Sequence, residues 1–179
     1  MIDRISDVMK QGWVEDLILR FDLFQPACET AHFLGLALLL GTVGLLDLRL
    51  LGVAPSVPIA ALHRFVPWGI AGFGVCLVSG MLIMVGDPFR EPSWYMRNLS
   101  YQLKMLLIAL AGVNAVLFYA TGVGKQVEQL APGEDTPRAA KVIAAVSLVL
   151  WIGVMYFGRM LPWEDALYMV FENPEDWQP

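Results

Sequence analysis

Apolar residues run almost unbroken from Phe33 to Leu46, with only glycines and Thr42 among them, and three more stretches of the same character follow. The pattern predicts membrane-crossing helices over about 27–51, 59–85, 99–122 and 139–161, each long enough to span roughly 30 Å of hydrocarbon at 1.5 Å per residue. Turn chemistry separates them. The run Gly52 to Pro58 forces a tight reversal, Asp87-Pro88 ends the second stretch, and the polar segment 123–138, with Ala131 to Pro137 inside it, reads as a solvent loop. The second stretch holds Pro67, Gly69, Gly72, Gly74 and Gly80, which predicts a kink near its start and close backbone packing along one face.

The ends have a different periodicity. Ile2, Ile5, Val8 and Met9 form one helical stripe, and Val14, Leu17, Ile18 and Phe21 form another rotated from it across Gly12. Residues 1–25 therefore read as interfacial helices that precede Pro26. After Pro162, Glu164 and Asp165 favour a new helix start, and Leu167, Met169, Val170 and Phe171 predict an interfacial helix over 163–172. The expected fold class is an all-α integral membrane protein: a four-transmembrane-helix bundle with N-terminal and C-terminal interfacial amphipathic helices, in a single domain over 1–179.

Composition agrees, because 57% hydrophobic against 16% charged residues is more apolar surface than a soluble domain of 179 residues could cover. A net charge of −5 with no basic stripe excludes nucleic acid as a partner and leaves the lipid bilayer. Cys28 and Cys76 fall in apolar stretches and read as packing thiols. The N-terminus lacks a basic region followed by a short apolar core, so it does not read as a cleaved signal peptide. Four crossings put both termini and the 87–98 connection, with its interfacial Trp94 and Tyr95, on one side, here side A. Arg49, Arg64, Lys125, Arg138 and Lys141 are concentrated in the shorter side B connections, which makes side B cytoplasmic and the termini periplasmic.

Ionisable groups inside spans cost several kcal/mol and need a partner or a purpose. Near side A, Glu29, His32, Lys104 and Arg159 each fall about one turn inside a span, and Glu29 and His32 are three residues apart on one helix side. Glu29, His32, Met105 and Met160 are candidate metal ligands there, with Cys28, Met81 and Met84 nearby and soft donors favouring Cu(I). The competing reading pairs Glu29 with Lys104 or Arg159 and leaves the methionines as packing. For haem b, the candidate cofactor-binding residues are His32, His63, Lys104 and Arg159: a haem on His32 needs Met105, Met160, unprotonated Lys104 or a histidine of another subunit as its second ligand, or Lys104 and Arg159 instead hold the propionates. His32 and His63 start consecutive antiparallel spans, so about 20 Å separates them and one haem cannot use both.

Near side B stand Asp47, Arg49, His63, Arg64 and, deeper, Asn114. His63 begins a stripe through Pro67, Ile70, Gly74 and Met81, a glycine-bearing face open to a flat cofactor or to a neighbouring helix. No hydrolase triad, phosphate loop, Cys-x-x-Cys or His-Glu-x-x-His motif is present, and an enzymatic role stays open without a motif to carry it.

Glu29 to Gly35 opening the first span, Asp47 to Gly52 closing it, and Pro67-Trp68 in the second resemble a family of small four-span bacterial inner-membrane proteins. More distantly the chain is similar to the CopD-type copper-resistance membrane domain and to four-helix haem b membrane proteins. That resemblance implies a haem b or copper site used in electron transfer or metal handling in the bacterial inner membrane. With two histidines at opposite depths, the chain departs from the di-haem pattern. The alternative is a non-catalytic structural or assembly subunit, as a homo-oligomer or within a membrane complex, whose glycine face serves packing.

Overall fold

The computed structural model describes residues 2–10, 20, 21 and 23–163 of the chain. These residues form helices and turns, with no strand among them: α1 (Ile2–Lys10), α2 (Phe24–Leu50), α3 (Ile59–His63), α4 (Val66–Gly86), α5 (Pro92–Arg97), α6 (Leu99–Ala120), α7 (Val123–Glu128) and α8 (Arg138–Met160), closed by a 3-10 turn at Leu161–Trp163. Four helical segments, Phe24–Leu50, Ile59–Gly86, Leu99–Ala120 and Arg138–Trp163, are long and apolar enough to cross a membrane.

Element ends follow local chemistry. α2 starts at Phe24, three residues before the expected boundary, because Pro26 sits in the first helical turn, where its missing N–H removes no intrahelical bond. The helix stops at Leu50; Gly52 takes φ +90° and donates its N–H to the Arg49 carbonyl at 3.0 Å, a left-handed closure that suits glycine. The kink expected near Pro67 is a break: α3 ends at His63, and α4 restarts at Val66 with Pro67 in its first turn. Asn98 caps α6 by accepting the Tyr101 N–H at 3.1 Å and donates to the Leu161 carbonyl at 3.3 Å, tying the third span's start to the fourth span's end.

Two expectations need correction. The 123–138 connection is not wholly a solvent loop, since α7 lies within it and buries Val123 and Val127 against the side B core of Leu46, Leu50, Ile59, Phe118, Ala140 and Ala144. Gly74 is not part of a close packing face: a side chain there would meet nothing within 4 Å, whereas one on Gly72 would lie 2.7 Å from the Gly35 carbonyl oxygen. Within the first stretch expected to lie at the interface, α1 is a helix packed against α5, with Arg97 donating to Asp3 at 2.7 Å. Residues 14–19 of the second stripe and 164–172 of the C-terminal helix lie outside the described residues.

Packing is by pairs. α2 and α4 cross at Gly35 and Gly72, backbone against backbone, with Gly69 beside the Thr42 hydroxyl. α6 and α8 pair through Gly153, which accommodates Leu107, and through Asn114, whose side-chain amide donates to the Ile143 carbonyl at 3.1 Å. α2 also packs on α8 and joins the two pairs, while α4 and α6 barely touch. The outer faces carry exposed Phe33, Leu34, Ile70, Val78, Val116 and Val149.

Candidate functional site

On side A the structure gathers His32, Cys76, Ser79 and Lys104. The His32 Nδ1 lies 3.0 Å from the Ser79 hydroxyl oxygen, whose own proton goes to the Val75 carbonyl at 2.6 Å. The serine oxygen is therefore the acceptor, His32 carries its proton on Nδ1, and Nε2 keeps a free lone pair. Gly80 makes room for the ring, since a Cβ there would come within 3.3 Å of Cε1, and the Cys76 thiol donates to the His32 carbonyl at 3.4 Å. Lys104 runs its methylenes along Gly158 with its ammonium in electrostatic reach of His32 and Cys76.

The other side A candidates do not join this cluster. Glu29 is exposed and forms no ion pair among the described residues, so the expected Glu29 pairing with Lys104 or Arg159 is not made. Arg159 is exposed, Met105 is 42% exposed, Met81 also faces outward, and Met160 is half-buried. Among the described residues no three His, Cys, Asp or Glu side chains lie close enough to share a metal ion. His63 sits at the opposite end of the bundle, its Nδ1 2.6 Å from Glu128 and its ring against Phe118 and Tyr119. Of the sequence candidates, the described residues thus bring the His32 Nε2 and Lys104 into one neighbourhood, with the Cys76 sulfur beside them, while Glu29, Met81, Met105 and Arg159 face outward.

The more distinctive feature lies in the side B half. Because α4 and α6 barely touch, a groove with a cavity volume of about 310 Å³ opens between them, floored by α2 and α8. Its walls are aliphatic and aromatic, with Ile70 and Phe73 from α4, Ile108 and Phe118 from α6, and Trp151 from α8. A few polar groups converge on it: Asp47 and Thr42 from α2, Asn114 and Tyr119 from α6, and Ser147 from α8. Asp47 is 5% exposed, and its Oδ2 has no hydrogen-bond partner among the described residues. An unpartnered carboxyl oxygen in such surroundings costs about 1–3 kcal/mol or more, so the fold keeps it against its own stability. Arg49, equally buried, is not its partner: it donates Nε to the Val57 carbonyl at 2.7 Å, on the side of the 51–58 turn.

Among the described residues outside the candidate spans, two titratable groups are shifted. Burial, then the hydrogen bond its hydroxyl donates to Asp87, pushes the Tyr95 phenol well above the usual tyrosine range. The exposed Asp135 carboxyl is held below its ordinary value by the hydrogen bond and charge of Lys141, whose ammonium is 2.6 Å away. Both pairs brace connections and neither faces the groove.

No protein-family model, curated protein or solved structure matches the chain.

Proposed function

We propose that this protein is integral to a bilayer, crosses it four times, and binds a small amphiphile in the groove between α4 and α6. The orphaned Asp47 oxygen inside an otherwise apolar cleft carries this reading: a stability cost with no structural return is the mark of a ligand-binding group. The gap between α4 and α6 faces where acyl chains would lie, so a ligand dissolved in the bilayer enters sideways without crossing water. Its apolar body packs on Phe73 and Trp151 while its polar head reaches the Asp47, Asn114 and Ser147 layer. Placement in the bacterial inner membrane, with both termini periplasmic, rests on the resemblance of Glu29 to Gly35 and Asp47 to Gly52 and on the basic side B connections.

Gly112 offers a direct test, because it lines the groove and a side chain there meets nothing within 4 Å. Gly112→Trp should fill the cleft without unfolding the bundle. In lipid nanodiscs, native mass spectrometry of the unmodified protein should detect a co-purifying amphiphile, and the Gly112→Trp protein should lack it. Equal retention by both would refute the site.

A further inference from the structure

We infer that the head group the groove takes is a cation, an ammonium on an apolar body, with Asp47 as its counter-ion. The inference rests on the groove being a ligand site and concerns which chemistry that site selects. The polar layer holds free acceptor oxygens. The Asn114 amide donates one N–H to the Ile143 carbonyl and keeps its carbonyl oxygen; the Thr42 hydroxyl shares its proton between the Leu38 and Leu39 carbonyls at 2.9 Å and keeps its oxygen lone pairs; Asp47 Oδ2 is unpartnered. A positive donor finds all three oxygens, and of the three only Asp47 can carry the opposite charge.

Electrostatics points the same way. A carboxylate in an apolar site is stabilised by a neighbouring cation far more than it would be in water. Tyr119, Phe73 and Trp151 line the same cleft, and aromatic faces attract organic cations. Of the other charged groups at this end, Arg49 donates Nε to the Val57 carbonyl and leaves Nη2 unpartnered, His63 pairs with Glu128 and Lys141 with Asp135, Arg64 and Arg138 are exposed, and none of these five lines the groove. Among the described residues, Tyr119 is the only other titratable side chain in the lining.

The probe is dodecylammonium, compared with its neutral isostere 1-dodecanol, both below the critical micelle concentration of the ammonium and against the full chain in zwitterionic nanodiscs. The cation should bind at least tenfold tighter than the isostere, and Asp47→Asn should remove that preference while leaving weak binding of the isostere. The comparison of the two probes on the unmodified protein needs no variant to fold. Equal binding of both probes, blocked by Gly112→Trp, would overturn the cation assignment and leave the groove standing. Binding of neither probe, or binding that Gly112→Trp does not weaken, would overturn both.

Discussion

Replacing Gly72 by alanine tests the joint on which the bundle is built. A Cβ at this position would stand 2.7 Å from the Gly35 carbonyl oxygen, 2.9 Å from the Leu39 amide nitrogen and 3.2 Å from the Leu38 Cβ. Two of these neighbours are backbone and cannot rotate away, so α2 and α4 must separate by several tenths of an ångström along their whole contact. Overpacking of this kind costs about 1–3 kcal/mol. Gly74, one residue pair further along the same helix, meets nothing within 4 Å, so Gly74→Ala should change stability by less than about 0.5 kcal/mol. Gly35 faces the same joint, with its Cβ position 2.8 Å from the Gly72 oxygen, and once the helices have moved for one methyl the second costs less. The Gly35→Ala/Gly72→Ala double variant should therefore lose less than the sum of the singles. Reversible unfolding in mixed micelles, titrated with a denaturing detergent, reads all four variants. If Gly72→Ala proves as stable as Gly74→Ala, the close α2–α4 crossing is wrong.

Other expectations follow from the same geometry. Reporter fusions at Gln129 and after Trp163 should report opposite sides of the membrane; the same side for both would break the four-span reading. Asp47→Leu should raise the unfolding midpoint, since it removes an orphaned oxygen worth about 1–3 kcal/mol; a lower midpoint would mean that Oδ2 has a partner. Tyr95 should remain a neutral phenol at a pH where exposed tyrosines have ionised, as read by phenolate absorbance. Its raised pKa contributes stability below the unfolded value of about 10 that is lost as pH rises towards the folded value, and Tyr95→Phe should abolish that high-pH loss. Protein purified in mild detergent should show no Soret band and less than one copper per chain; a Soret band that disappears in His32→Ala would instead establish haem on side A.

The spans were legible because length and hydropathy suffice to find a helix that is apolar all round. Their ends were legible wherever proline or glycine dictates the backbone, as at Gly52 and Pro67. Depth was legible too, and His32 and Lys104 do share a neighbourhood. Rotation was not. A helix with apolar residues on every side carries almost no amphipathic signal, so nothing in the pattern says which side of α2 faces α8 and which faces lipid. For that reason Glu29, three residues from His32, points outward while His32 points to Ser79, and Met105 turns away from the cluster that Lys104 joins. Asp47 was visible as a charge within a span, but its significance lies in Thr42, Asn114 and Ser147 gathering around one cleft from three helices.

The two polar layers differ in a way that bears on what each is for. On side A the bonds close on themselves: His32 onto Ser79, Ser79 onto Val75, and Cys76 onto the His32 carbonyl. A satisfied network of this kind fixes the register of α2 against α4. On side B the Asp47 Oδ2 has no hydrogen-bond partner among the described residues, and Asp47 lines the groove that opens where α4 and α6 barely touch. A side chain at Gly112 would meet nothing within 4 Å, so the backbone leaves room for that groove to be filled and the sequence does not fill it. The proposed amphiphile accounts for both the cleft and its carboxyl.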